Sequence, residues 1–299
     1  MELKGIIPAM VTPLTIEQKV NQSVTRQLTN HLIDSGVHGL FILGTNGEFH
    51  LLSKEEKLEV ARIVIEEVNG RVPVIVGTGG ISTEETIDLS QKMEQLGANA
   101  LSLITPFFIP TTQEEMAAHF EKVAESISLP VLLYNIPART GVNLEPETVA
   151  RLAKVPNIVG IKDSSGNFAN IENYINATKD EDFSVFAGTD SLILQTLQAG
   201  GKGAVAATAN MVPDIVVAIY NEWLEGNIEA AEENQQKLLP LRETFKYGTL
   251  PSVLKKAVEL YSVPVGPPKM PVSEVTGDAL VKVAEMVELY KQQKVSIGK

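Results

Sequence analysis

Eight short apolar runs, rich in β-branched residues, recur at intervals of roughly 20–35 residues and leave few folds open. They are 5–11 (GIIPAMV), 39–43 (GLFIL), 72–76 (VPVIV), 100–104 (ALSLI), 130–134 (PVLLY), 158–161 (IVGI), 183–187 (FSVFA) and 203–207 (GAVAA). Little polarity interrupts them, as expected of parallel strands buried on both faces. Helical patterns lie between. Ser53 with Glu56, Ser82 with Glu85 and Thr112 with Glu115 read as capping boxes, and Gly70 and Gly97 stand where the first two helices should stop. Eight successive strand–helix units predict an α/β fold, a closed (β/α)8 barrel, with a doubly wound open sheet as the alternative.

Beyond about Pro213 the strand pattern ceases. Helical stretches are expected over 215–224, 228–245, 250–261 and 275–290, with the charged tail 291–299 frayed. The first closes the eighth unit. The reading is therefore a barrel over 1–225 and a helical extension over 226–299 packed on it, not an independent domain.

Composition removes whole classes of chemistry. The 299 residues contain no cysteine, which excludes disulfides, thiolate metal sites and a thiol nucleophile. The four histidines show no metal-ligand spacing. With 25 basic against 37 acidic residues the net charge is −12, a poor match for nucleic acid or anionic lipid. The N-terminus lacks the pattern of a signal peptide and no run of about 18 apolar residues occurs, so a cytoplasmic protein is expected.

Polar and glycine-rich clusters follow the strands at one end: GTNGE at 44–48, GTGG at 77–80, YNIPARTG at 134–141, KDSSG at 162–166, GTD at 188–190 and TAN at 208–210. Barrel enzymes build their sites at that end. Lys162 follows a buried run at the barrel mouth. Such a lysine either snorkels its ammonium to the rim or attacks a carbonyl to form a Schiff base. Tyr134 ends the neighbouring strand, either as a core residue with a satisfied hydroxyl or as a proton shuttle. Thr45 and Asn46 lie in a glycine-flanked turn that could hold a carboxylate. Arg139 offers a fork suited to a second carboxylate, the alternative being a surface salt bridge. GTGG lacks the residues of a phosphate loop and reads as a tight turn.

Taken together, GTNGE, YNIPARTG and GIKDSSG, in this order and on these strands, resemble the dihydrodipicolinate synthase/N-acetylneuraminate lyase family, and the similarity runs along nearly the whole chain. The resemblance implies a class I, pyruvate-dependent aldolase or lyase needing no metal or organic cofactor. It implies Lys162 as the Schiff-base lysine, Tyr134 as proton relay, Thr45 and Asn46 as holders of the pyruvate carboxylate, and Thr45 as a further relay hydroxyl. Gly188 and Val205 match positions that line the pyruvate pocket. Arg139 matches the arginine with which the synthase branch, which serves lysine biosynthesis, binds aspartate semialdehyde. Two positions depart from the synthase pattern: Asn46 replaces a second threonine, and Phe108 replaces a tyrosine that reaches into a neighbouring subunit.

The resulting expectation is a 4-hydroxy-tetrahydrodipicolinate synthase-like enzyme taking pyruvate and a small aldehyde, assembled as a homotetramer of paired dimers. The alternatives are a 2-keto-3-deoxy sugar acid or 4-hydroxy-2-oxoglutarate aldolase, and a non-catalytic keto-acid-binding protein.

Overall fold

In the computed structural model, which describes residues 3–297, the eight runs form eight parallel strands. They are β1 (Gly5–Pro8), β2 (Leu40–Ile42), β3 (Val74–Gly77), β4 (Ala100–Ile104), β5 (Val131–Asn135), β6 (Ile158–Asp163), β7 (Ser184–Ala187) and β8 (Gly203–Ala206). Hydrogen-bonded neighbours follow the order β1-β8-β7-β6-β5-β4-β3-β2. The remaining seam is bridged rather than laddered: Ala9 pairs with Phe41, the Met10 N–H donates to the Phe41 carbonyl at 2.9 Å, and the His38 N–H donates to the Ile6 carbonyl at 2.8 Å. The sheet closes into a (β/α)8 barrel, which disposes of the open doubly wound alternative.

Period-two alternation divides the strand residues between two environments. Ile7, Phe41, Ile75, Leu132, Phe186 and Val205 fill the barrel interior as one cluster. Ile6, Ile42, Val74 and Val76 face outward, in the cluster that includes the surrounding helices. Capping boxes at Ser53 and Thr112 start the helices Lys54–Val68 and Gln113–Glu125, and Ser82 accepts the Glu85 N–H at the start of Thr83–Gln95. Gly70 and Gly97 lie just past two helix ends with φ of 75° and 91°, the left-handed conformation that terminates a helix most easily at glycine.

The C-terminal helices differ from expectation in two places. The stretch 228–245 is not one helix but two, Ile228–Gln236 and Leu239–Thr244, followed by a short 3-10 turn at Phe245–Tyr247. Pro240 explains the break, since it has no N–H to donate and its ring would strike the carbonyl of Gln236. The last helix runs Gly277–Ile297, so the tail is helical as far as 297, and 298–299 lie outside the described residues. Ala231, Leu241, Leu254, Ala257 and Val287 of the extension share the core cluster of the barrel's outer face. Among the described residues no helix is long and apolar enough to cross a membrane.

Candidate active site

Lys162 is the penultimate residue of β6, one position inside the strand that the sequence pattern ends at 161. Parallel register sets it beside Tyr134 of β5 and Phe186 of β7. Its side chain is 4% exposed, with Nζ 4.0 Å from the centroid of the Tyr134 ring and 4.8 Å from that of Phe41. Aromatic faces thus take the place of much of the water around the amine.

The next residue, Asp163, points the opposite way and fixes the strand end. Its fully buried carboxylate accepts from Asn135 and Asn170 Nδ2, each at 2.8 Å, and from the Ser165 N–H and hydroxyl. With a donor set of this kind the ends of β5 and β6 are tied together behind the lysine.

The Tyr134 hydroxyl lies 3.1 Å from Thr45 Oγ1, bringing the β5 end and the 44–48 loop into one hydrogen-bonded unit. That loop is held at both ends. Leu43 and Glu48 adopt left-handed φ of 57° and 58°, and Thr12 Oγ1 donates to the Gly47 carbonyl at 2.7 Å. The Glu48 carboxylate accepts from Lys255 Nζ at 2.9 Å and from the Lys269 N–H at 2.6 Å. Burial pushes the Lys255 ammonium below its ordinary pKa, and the adjacent Glu48 charge opposes that shift.

Above Lys162 opens a cleft of about 360 Å3 whose walls include Thr45, Asn46, Tyr134, Arg139, Gly188 and Val205. Every site residue expected from the sequence thus reaches one cavity. Gly188 is required there by space: a Cβ would stand 2.1 Å from Ser164 Oγ and 2.9 Å from Lys162 Cε. Phe108 does not line this cleft. It is 82% exposed on the loop after β4, with φ of 82°, a conformation unfavourable for a bulky side chain.

Several walls escaped the sequence reading. His50 lies on the cleft; burial lowers its pKa, Glu48 works against that, and Lys57 and Arg139 reinforce it. Ser164, Thr189 and Asp190 come from the turns after β6 and β7, while Arg242 and Phe245 arrive from the C-terminal extension. The turn residues lay in the polar clusters that marked the barrel mouth. Nothing in the strand–helix rhythm marks the extension's contribution. The assembly places one buried amine beside two linked hydroxyls and a guanidinium, a set able to add to a ketone, move protons and hold an anion.

The sequence profile of the dihydrodipicolinate synthetase family matches residues 2–290. The 4-hydroxy-tetrahydrodipicolinate synthase of Methanopyrus kandleri is 41% identical over 279 residues, 93% of each chain. The crystal structure of dihydrodipicolinate synthase from Bacillus anthracis superposes with a TM-score of 0.93 at 33% identity, covering 96% of this chain and 98% of that one. YagE from E. coli K12, a prophage protein of the same family solved with pyruvate, gives a TM-score of 0.93 at 36% identity, covering 98% and 99%. Profile, sequence and fold agree along nearly the whole length, and the chain belongs to the dihydrodipicolinate synthetase family of pyruvate-dependent aldolases and lyases.

Proposed function

We propose that this chain is a 4-hydroxy-tetrahydrodipicolinate synthase, condensing pyruvate with aspartate semialdehyde through a Schiff base on Lys162. The observation that carries the reading is the buried Lys162 amine against Tyr134, whose hydroxyl is 3.1 Å from Thr45.

The neutral amine adds to the ketone carbon of pyruvate, and Tyr134 delivers a proton to the departing oxygen so that water leaves and an imine forms. The pyruvate carboxylate lies against Thr45 and Asn46, with Gly188 and Val205 shaping the pocket. The Tyr134 phenolate left by imine formation takes a methyl proton, which converts the imine to an enamine and restores the phenol. The enamine carbon then bonds to the aldehyde carbon of the acceptor, whose oxygen takes up a proton from the Tyr134–Thr45 relay. Arg139 receives the acceptor's carboxylate. Addition of water to the product imine frees the lysine.

Borohydride reduction in the presence of pyruvate, followed by peptide mass spectrometry, tests this. A pyruvyl adduct on Lys162, absent from Lys162→Ala, is expected; no adduct, or substantial turnover by the variant, removes the mechanism. A panel of aspartate semialdehyde, glyceraldehyde, glyoxylate and N-acetylmannosamine then assigns the acceptor. Asn46 and Phe108 favour a second reading, a hydroxy-oxoglutarate or sugar-acid aldolase, which predicts glyoxylate or glyceraldehyde as the better partner. Adduct formation without turnover on any acceptor identifies a keto-acid-binding protein.

The assembly we propose is a cytoplasmic homotetramer of paired dimers. Phe108 and Ile109, 82% and 66% exposed on adjoining positions, give a second copy an apolar contact beside the barrel mouth. Analytical ultracentrifugation of the protein and of Phe108→Asp tests it: a tetramer that the substitution weakens is expected, and a monomer in both overturns it.

A further inference from the structure

The chain carries six arginines. Four are bonded at the helical surface: Arg26, Arg62 and Arg151 to glutamates, and Arg71 to Asn30 and a main-chain carbonyl. The guanidinium groups of the other two, Arg139 and Arg242, have no hydrogen bond or ion pair among the described residues, and both line the cleft above Lys162. Arg242 Nη1 is buried and unpaired. A desolvated cationic donor left without an acceptor is costly and rare in a folded chain. It is the more conspicuous here, where 37 acidic residues face 25 basic ones.

The cleft's own carboxylates do not answer these cations. Glu48 is taken by Lys255 and the Lys269 N–H, and Asp190 accepts the N–H groups of Ala207 and Thr208 at 3.2 and 2.7 Å. An anionic group on a ligand in this cleft would meet both guanidinium groups without competition from a protein carboxylate. Arg139 stands on the turn after β5, and Arg242 reaches the cavity from the helix Leu239–Thr244 of the extension.

We propose that Arg242 is a specificity-determining residue that binds the anionic end of the acceptor, making the acceptor class a short carboxylate-bearing aldehyde. This rests on the Schiff-base reading of Lys162 and deepens it. Arg139 and Arg242 approach that end from the barrel and from the extension, so the extension takes part in recognition. A neutral aldehyde gains nothing from Arg242.

The test compares the protein with Arg242→Gln and Arg242→Lys. Pyruvate adduct formation on Lys162 should be the same in all three. The KM for aspartate semialdehyde should rise at least about tenfold in Arg242→Gln and recover in part in Arg242→Lys, while the KM for neutral glyceraldehyde stays within about twofold. An equal rise for both aldehydes, or none for either, overturns the proposal. Calorimetric titration with succinate, an unreactive dicarboxylate, reads the same contact without turnover. Binding by the unaltered protein, weakened at least about tenfold in Arg242→Gln, is expected; equal binding, or none by the unaltered protein, overturns it. If pyruvate leaves no adduct on the unaltered protein, the Lys162 mechanism falls while the succinate titration still decides the role of Arg242.

Discussion

Glu48 and Lys255, 207 positions apart in the chain, form an ion pair at 2.9 Å with both side chains sealed from solvent. The pair joins the loop carrying Thr45 and Asn46 to the helix Leu250–Tyr261. Removing Lys255 leaves the buried Glu48 charge with only the Lys269 N–H to answer it, and breaking a buried pair in this way typically costs about 3–5 kcal/mol. Lys255→Met should lose stability on that scale in urea unfolding, and the KM for pyruvate should rise as the 44–48 loop loosens. The double variant Glu48→Gln/Lys255→Met should be more stable than Lys255→Met alone, because the stranded carboxylate is gone. A double variant less stable than either single one would contradict the account.

A methyl at position 188 would press on Ser164, the Asp163 carbonyl and Lys162 Cε at once. Overpacking of this kind costs about 1–3 kcal/mol. The more telling effect should be on the lysine: Gly188→Ala should form the pyruvate adduct at least about tenfold more slowly than the unaltered protein while its far-ultraviolet circular dichroism stays the same. Unchanged trapping would mean that Lys162 has room the structure does not show.

Much of this was legible in the chain because the barrel is built locally. Each strand announces itself by an apolar run, and six of the eight strand ends by a cluster of glycine and polar side chains, so Lys162, Tyr134 and the 44–48 loop could be placed from the chain alone. What could not be read depends on distant contacts. Arg242 lines the cleft only because the extension folds back across the mouth. The break at Pro240 is a local effect, masked by the helical pattern on either side of it. The left-handed φ of Leu43, Glu48 and Phe108 leaves no trace in residue type, since none is glycine or asparagine. Asp163 stood in a recognised motif, but its bonds to Asn135 and Asn170 require two strands and a helix to be in place.

The 3.1 Å contact between the Tyr134 hydroxyl and Thr45 predicts that the two act as one relay. Tyr134→Phe keeps the ring that packs edge-on against Phe41 with centroids 6.3 Å apart, so its thermal midpoint should change little while kcat falls by about 10²–10⁴-fold. Thr45→Val should cost less alone. In the double variant the losses should not multiply, because a chain already broken at one hydroxyl gains nothing from the other. Independent, multiplying effects in steady-state kinetics would show that the two hydroxyls serve separate steps.

His119, on the helix Gln113–Glu125, is 6% exposed, and its Nδ1 lies 2.9 Å from Thr83 Oγ1. Burial pushes its pKa down from 6.5 to about 4. The sign follows from proton counting: between these values the unfolded chain takes up a proton that the folded chain refuses, so acid favours unfolding. The contribution is complete above pH 6.5 and is lost as the pH falls toward about 4, at up to about 1.4 kcal/mol per pH unit, or roughly 3 kcal/mol in all. Carboxylates such as Glu56, whose pKa burial raises but the bonds to Lys269 and the Ser53 N–H together bring below its ordinary value, add their own acid loss mainly below that range. The difference between the protein and His119→Gln, followed by urea unfolding from pH 7 to pH 4, isolates the histidine. The gap in stability should change by that amount across the window, in favour of the variant at low pH. Parallel pH profiles would place the imidazole in contact with water.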